Sequence, residues 1–207
     1  MTATAQTPLY PADLPLVDAR KRYFEANGFD DEGGSEDGGG YDDETVRLIF
    51  LGRTLTVPNP KSRRDALVYH DLHHVLTGYG TDLPGEVEVG AWELATGCGR
   101  YKAAWVLNAT IFAVGLWRWP RRARAAFIWG RSTANLYGRA IAPLLERRLA
   151  ELREELAIEV DAGARARVVE GAGLGPRLAF WLAAVLVQLP VLAMLSMVGV
   201  ALARALT

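Results

Sequence analysis

The sequence predicts a mainly α-helical protein with a small β-hairpin and a C-terminal transmembrane helix. Helical spacing of apolar residues, interrupted by helix-ending glycines, runs through the middle of the chain. One stretch, 45–57, is rich in valine, isoleucine, phenylalanine and threonine, which favour strands. Residues 178–203 contain no ionisable side chain. That stretch is longer than the roughly twenty residues that cross the hydrocarbon core of a bilayer.

The composition indicates one domain with appendages. The 207 residues carry a net charge of −1, which excludes the basic field of a nucleic-acid-binding protein. The single cysteine, Cys98, excludes an internal disulfide, and we interpret it as a packing residue. We divide the chain into a flexible region at 1–44, a helical metal-binding domain at 45–159, a linker at 160–177 and a transmembrane anchor at 178–204.

The N-terminal region lacks the basic start and apolar core of a secretory signal. We predict a short helix at Leu16–Asn27 that Gly28 ends. The segment 28–44, GFDDEGGSEDGGGYDDE, is acidic and rich in glycine, so we predict a mobile loop. Its acidic spacing fits no EF-hand calcium loop. For 45–57 we prefer a small hairpin that turns at 51–53 to a helix.

The next predicted helix contains all three histidines of the chain. Pro58 and Pro60 prevent a helix upstream, Ser62 and Asp65 have the spacing of a capping box, and Gly78 ends the helix. A second helix follows from Pro84 to about Thr96. The turn between the two helices contains glycines and a proline, so the chain can fold back there.

His70, Asp71 and His74 form an H-D-x-x-H motif on the first of these helices. Histidines at i and i+4 stack over adjacent turns and can hold one divalent ion, and Asp71 adds an oxygen ligand. Glu86 follows after eleven intervening residues and opens the second helix. Glu93 lies on the same face of that helix, where it can accept a hydrogen bond from a histidine ligand. We therefore predict a metal site split between two helices.

The alternative interpretation of this motif is a polar helix face without a metal. Glu86 then only complements the dipole at the start of its helix. The third histidine, His73, points away from the other two, and we interpret it as a structural residue. Two histidines and two carboxylates leave the identity of the metal open among zinc, iron(II), manganese and cobalt.

We predict a helix over residues 103–117, in which Asn108 and Thr110 are the only polar residues. This helix is either a central helix of the domain or the wall of a lipid pocket, and it also suits a segment that dips into the membrane. Tryptophans and arginines follow at 117–124, a mixture typical of a membrane interface, although a solvated basic face has the same composition. We predict a long helix over 125–156, with a kink at Pro143.

The apolar segment at 178–203 lies at the end of the chain and is predicted to anchor the protein in the membrane as a single pass. Gln188 and Pro190 are tolerated inside such a span. Arg165, Arg167 and Arg177 precede the segment and only Arg204 follows it. This bias in positive charge places the main domain in the cytoplasm.

Residues 63–99 resemble the coenzyme Q biosynthesis protein four family. Its pattern is of the type HDLxHVLTGYGTDxxGExxxxxF, and this chain reads HDLHHVLTGYGTDLPGEVEVGAWEL. Weaker similarity lies at 136–158 and 21–28. Trp92 stands where the family often has phenylalanine, the segment between the similar regions looks shortened, and the charge-free C-terminal segment is outside the family pattern.

The resemblance implies an all-helical protein that binds a divalent metal, usually zinc, through His70, Asp71, His74 and Glu86. It implies an enzyme of ubiquinone biosynthesis that removes the ring carboxyl group of a polyprenylated aromatic acid with hydroxylation. Other proteins of quinone biosynthesis are expected partners. The expected contacts with the substrate tail or with lipid are Trp92, Trp105, Arg118, Arg121 and Arg122.

Two other functions are compatible with the sequence. A metal-dependent phosphohydrolase also uses His-Asp pairs, but it would require a separate upstream histidine, which this chain lacks. A non-catalytic lipid-binding or scaffold protein of the quinone biosynthetic complex would use the metal only to hold its structure together.

Overall fold

The computed structural model describes residues 10–29, 40–50 and 53–205, and their side chains except at 47–50, 53–54, 191 and 193–205. Over these residues the protein is mainly α-helical, as predicted. The elements are α1 (Leu16–Asn27), β1 (Thr45–Phe50), β2 (Arg53–Pro58), α2 (Lys61–Thr77), α3 (Leu83–Thr96), α4 (Lys102–Arg118), α5 (Pro120–Gly130), α6 (Ile141–Leu145), α7 (Leu149–Glu155), α8 (Ala162–Glu170) and α9 (Leu174–Ala205).

The N-terminal helix and the hairpin form as predicted. Helix α1 ends at Gly28, which adopts the left-handed conformation with φ 70°. Strands β1 and β2 pair antiparallel, from Thr45 opposite Pro58 to Phe50 opposite Arg53. Of the predicted turn at 51–53, residues 51–52 lie outside the described residues, and so does most of the predicted mobile loop, 30–39.

Helix α2 ends at Gly78 as predicted, with φ 73°, but the predicted capping box at its start is wrong. The helix begins at Lys61, so Ser62 already lies inside its first turn. Asp65 instead forms an ion pair with Lys61, which lies one helical turn before it; the Nζ–Oδ1 distance is 2.6 Å. Pro60 precedes the helix with an extended backbone and offers no capping side chain.

Helix α3 packs between α4 and α5 and forms the centre of the core. Glycines allow this close packing. A Cβ atom at Gly90 would lie 2.5 Å from Ile111 Cγ2 on α4, and one at Gly115 would lie 2.3 Å from Val87 Cγ1 on α3. The largest fully buried side chains are those of Trp92 and Trp129. Helix α2, which carries the histidines, packs against α3 and α4.

The long helix predicted over 125–156 is wrong, because the chain breaks after Gly130 and resumes helical structure only in α6 and α7. The break is fixed by Asn135, whose Nδ2 donates to Thr96 Oγ1 at 2.8 Å and to the Gly97 carbonyl at 2.7 Å. Pro143 lies inside the short α6 and causes no kink in a longer helix.

The segment predicted as a linker, 160–177, contains helix α8. Asp161 caps this helix by accepting a hydrogen bond from the Ala164 backbone N–H at 2.7 Å. Helix α8 packs against α5 and therefore belongs to the folded body. The Gly, Ala and Arg composition that suggested a linker also suits a helix, because alanine and arginine are good helix formers.

Helix α9 covers the predicted membrane segment but is described with side chains only up to Pro190, apart from Leu192. One face of α9, with Phe180 and Ala184, is buried against α4 and α5, and the other face is exposed. Over the residues whose side chains are described, which for α9 means essentially up to Pro190, no single helix is long and apolar enough to cross a bilayer. Only α8 together with residues 174–190 meets that criterion, and these two segments are bent by 93°.

Candidate metal centre

Two helices bring three predicted ligands together. His70 and His74 lie on adjacent turns of α2, and Glu86 lies in the first turn of α3. The two Nε2 atoms are 3.1 Å apart. Glu86 Oε2 is 3.2 Å from His70 Nε2, and Glu86 Oε1 is 3.3 Å from His74 Nε2. The three side chains form a group that could hold a metal ion.

The size of this group suits a small divalent cation. Zinc lies about 2.0–2.1 Å from imidazole nitrogen and carboxylate oxygen, so the edges of its coordination tetrahedron measure about 3.3 Å. The separations of 3.1–3.3 Å between these ligand atoms are close to that length. A metal between them would require only small side-chain movements.

Hydrogen bonds orient both histidines for ligation. His74 Nδ1 lies 3.1 Å from the carbonyl oxygen of Tyr79, which can only accept, so Nδ1 carries a proton and donates it to that oxygen. His70 Nδ1 lies 3.1 Å from the carboxylate of Glu93. Tyr23 stacks on the His74 ring, with centroids 5.8 Å apart. Both Nε2 atoms are thereby directed toward Glu86.

The carboxylate of Glu93 lies fully buried behind the group. Its Oε1 accepts from His70 Nδ1 and from His73 Nδ1 at 2.6 Å, and its Oε2 accepts from Asn108 and from the Tyr137 hydroxyl at 2.8 Å. These four donors fill the acceptor capacity of a carboxylate. Burial alone would raise the pKa of Glu93, but His70 and the other donors outweigh it and hold that pKa well below its usual value.

His73 is a buried structural residue, in agreement with its interpretation from the sequence. Its Nε2 accepts from the Leu136 backbone N–H at 3.1 Å, so its Nδ1 carries the proton that Glu93 accepts. Burial lowers the pKa of His73, which keeps the ring neutral. His73 therefore connects the buried carboxylate to the loop between α5 and α6.

Asp71 does not join the group, in contrast to its predicted role as a fourth ligand. Its Oδ2 accepts a hydrogen bond from the Tyr41 hydroxyl at 2.7 Å. Burial raises the pKa of Asp71 to about 6, against the opposing effects of His70 and of the Tyr41 hydrogen bond. Because Asp71 is next to His70 in the chain, it lies on the same turn of α2, but this proximity does not determine which group its carboxylate binds.

The group is open on one side. The side chains of His70 and Glu86 are 21% and 34% exposed, whereas that of His74 is only 1% exposed. Burial would raise the pKa of Glu86, but the two histidines outweigh it and hold that pKa below its usual value. Three candidate ligands with one accessible side would leave an open coordination position for a bound ion.

The structure does not bring the residues predicted to contact the substrate tail or lipid into this group. Trp92 is fully buried, and its Nε1 donates to Thr133 Oγ1 at 2.8 Å, so it is a core residue. Trp105 is partly exposed and donates to the Gly99 carbonyl at 3.0 Å. The arginines lie near α5, where Arg122 pairs with Glu88 at 2.5 Å, Arg118 lies over the Trp119 ring and Arg121 is exposed.

Sequence reasoning missed three residues of the centre. Asn108 had a visible signal, because it is one of the two polar residues in the apolar stretch 103–117. A buried amide in such a helix needs a polar partner, and here that partner is Glu93. Tyr41 and Tyr137 had no comparable signal, because each reaches the site from a segment without regular structure.

No family model matches this sequence, and neither the curated proteins nor the solved structures show a significant similarity to it. The chemistry of the centre is therefore inferred from its own side chains.

Proposed function

We propose that this chain is a metalloprotein that binds one divalent ion, zinc in the first place, through His70, His74 and Glu86. The observation that carries this proposal is the spacing of the three candidate ligand atoms, 3.1–3.3 Å, combined with Nδ1 contacts of both histidines that direct their Nε2 atoms toward Glu86. The buried Glu93 adds a negative charge that favours a cation in the group.

From the resemblance we propose that the site acts on a polyprenylated aromatic acid in ubiquinone biosynthesis. The ring carboxyl group leaves as carbon dioxide, and a hydroxyl group from water replaces it on the ring carbon. This replacement removes two electrons from the substrate, which dioxygen or another two-electron acceptor takes up. The bound metal would supply Lewis acidity and a binding position for the substrate carboxylate.

The side chains of the centre have separate tasks in this proposal. His70, His74 and Glu86 hold the ion, and their exposed side admits the aromatic acid. The pair of Tyr41 and Asp71 is a hydrogen-bonded pair outside the ligand group, and Asp71 is next to His70 on α2. It is in place to bind a proton or a polar ring substituent of the substrate.

We also propose that the protein associates with the membrane, with its main domain in the cytoplasm. The exposed faces of α4 and α9 support this, because they present many large apolar side chains on two helices that pack together. A polyprenyl tail would lie on this surface. The exposed residues are Trp105, Val106, Leu107, Val114 and Trp117 on α4, and Leu178, Trp181, Leu182, Val185, Leu186, Leu189 and Leu192 on α9.

The same apolar surface favours a second candidate function, a non-catalytic lipid-binding scaffold in which the metal only joins α2 to α3. The two candidates differ in what loss of the metal does. In the scaffold, removing the metal changes quinone synthesis only if the protein also becomes less abundant. In the enzyme, synthesis stops even when the protein is folded and abundant.

The test is Glu86→Gln, with Glu88→Gln as the matched control on the same helix. Glu88 pairs with Arg122 and lies outside the ligand group. Each variant replaces the deleted gene, and ubiquinone, its carboxylated precursor, bound metal and protein abundance are measured. We expect the Glu86→Gln protein to be as abundant as the wild type but to lose its metal, and the cells to lose ubiquinone and accumulate the precursor. In Glu88→Gln all four quantities should stay at their wild-type levels. Unchanged quinone after loss of the metal refutes the catalytic proposal.

Membrane association is tested by Leu182→Glu with Leu186→Glu, which places two charges on the exposed face of α9. The matched control is Val17→Glu with Leu55→Glu, two exposed apolar residues of α1 and β2. A carboxylate inside a bilayer is costly, so we expect only the α9 variant to leave the membrane fraction. Equal membrane fractions for both variants and the wild type refute this part of the proposal.

A further inference from the structure

A cleft of about 310 Å³ lies behind the turn that joins α2 to α3. Its aromatic wall consists of Tyr79 and Trp129, and α8 closes the opposite side with Arg165. Much of the remaining lining is alanine from α5 and α8, which leaves room for a ligand. The cleft is separate from the proposed metal centre, since none of the three ligands lines it.

Arg165 is the principal cation of the cleft. Its guanidinium lies 4.8 Å from the centroid of the Trp129 ring and 5.2 Å from that of Tyr79. Its Nη2 donates to the Val160 carbonyl at 2.9 Å, but its buried Nε has no hydrogen-bond partner. Among the described residues Arg165 forms no ion pair with a carboxylate. A buried N–H of a charged group is costly without an acceptor, so this Nε favours an additional acceptor, above all an anionic one.

The other charged groups around Arg165 do not neutralise it. Arg122 and Glu88 pair with each other at 2.5 Å at the edge of the cleft. Arg153 is buried, does not line the cleft, and donates to the Leu76 and Val75 carbonyls at the end of α2. Burial, and then the charge of Arg165, lower the pKa of Arg153. The remaining carboxylate, Glu170, lines the cleft but is solvent-exposed, where water screens its charge.

We propose that this cleft binds a phosphate-ester anion through Arg165, and that the ester is the headgroup of an anionic lipid. Guanidinium groups bind phosphate oxygens with two parallel hydrogen bonds, and the aromatic rings hold Arg165 in place for this contact. Helix α8 meets the first part of α9 at 93°. If the exposed apolar face of α9 lies against the membrane, α8 and its cleft lie at the depth of the headgroups.

The test uses the full-length protein in neutral detergent and isothermal titration with dihexanoyl phosphatidylglycerol. Arg165→Gln removes the charge and keeps much of the side-chain length. Arg167→Gln is the matched control, because Arg167 is exposed on the same helix and does not line the cleft. We expect Arg165→Gln to weaken binding by about tenfold or more, and Arg167→Gln to change it by less than about twofold. Circular dichroism establishes that both variants are folded.

A second variant separates the cleft from surface electrostatics. Ala166→Leu fills the cleft and leaves Arg165 in place, so it should also abolish binding. The proposal is overturned if Ala166→Leu, or folded Arg165→Gln, binds the lipid as tightly as the wild-type protein does. It is also overturned if the wild-type protein binds neither the lipid nor the free ester. Titration with glycerol 3-phosphate identifies the source. Binding of the lipid alone supports the headgroup, whereas equal binding of the free ester supports a phosphate-ester site but overturns its assignment to lipid.

Discussion

The carbonyl oxygen of Tyr79 accepts a hydrogen bond from His74 Nδ1 over 3.1 Å, so the turn after α2 orients the ring of this candidate metal ligand. The same turn also packs against the start of α3. A Cβ atom at Gly85 would lie 2.0 Å from the Gly80 carbonyl oxygen, and Asp82 accepts from the Gly85 N–H at 3.0 Å. One short turn therefore positions His74 on α2 and Glu86 on α3.

We expect Gly85→Ala to damage the centre from outside it. The new methyl group would collide with backbone and not with a flexible side chain, so the turn or α3 must shift. Overpacking of this kind costs about 1–3 kcal/mol. Gly173→Ala is the control, because nothing lies within 4 Å of its added Cβ. The free energy of unfolding measured in urea and the amount of bound zinc should both decrease in Gly85→Ala but not in Gly173→Ala. Identical behaviour of the two variants contradicts this account of the turn.

Added zinc should raise the melting temperature, because the ligand group joins α2 to α3. A ligand at one hundred times its Kd stabilises the folded state by about 2.7 kcal/mol. In a protein of this size each kcal/mol raises Tm by about 2–4 °C. Differential scanning fluorimetry with zinc and with a chelator measures the change. His70→Ala with His74→Ala should abolish the response to zinc, and a double variant that still responds places the metal elsewhere.

The sequence predicted the elements of the centre better than their contacts. The i, i+4 spacing of His70 and His74 fixes their relative placement, because an α-helix has one geometry. Glu86 was predictable from the turn that precedes it. Asp71 binds Tyr41, and Glu93 binds Asn108 and Tyr137. These partners are far away in the sequence, and no local pattern predicts such contacts.

The break after Gly130 shows the same limit in the fold. Residues 125–156 have helical propensity, yet the segment around Asn135 leaves the helix to bind Thr96 and Gly97 at the end of α3. The Leu136 N–H in that segment also donates to His73. Tertiary hydrogen bonds override propensity here, since they satisfy buried polar groups that a continuous helix would leave unpaired.

Glu93→Gln should weaken both the metal site and the fold. The glutamine side chain replaces one acceptor oxygen with an amide donor, which would face two of the donors that the carboxylate now satisfies. We expect a loss of about 1–3 kcal/mol in the free energy of unfolding and a 10–100-fold weaker metal affinity, on the order seen for residues that orient metal ligands. Glu154→Gln, an exposed position on α7, is the control. Zinc titration and urea unfolding of the two variants provide the comparison, and a Glu93→Gln protein as stable as Glu154→Gln contradicts the role of the buried carboxylate.

Asp71→Asn distinguishes a centre with three protein ligands from one with four. Asp71 accepts from Tyr41, and the asparagine oxygen can keep that hydrogen bond, so a three-ligand centre loses only the nearby charge. We then expect unchanged metal stoichiometry and at most about a tenfold loss of affinity, smaller than the loss in Glu86→Gln. Tyr41→Phe should also leave one metal bound per chain. Equal losses in Asp71→Asn and Glu86→Gln, with tighter binding in Tyr41→Phe, would instead mean that the Asp71 carboxylate leaves Tyr41 to ligate the ion.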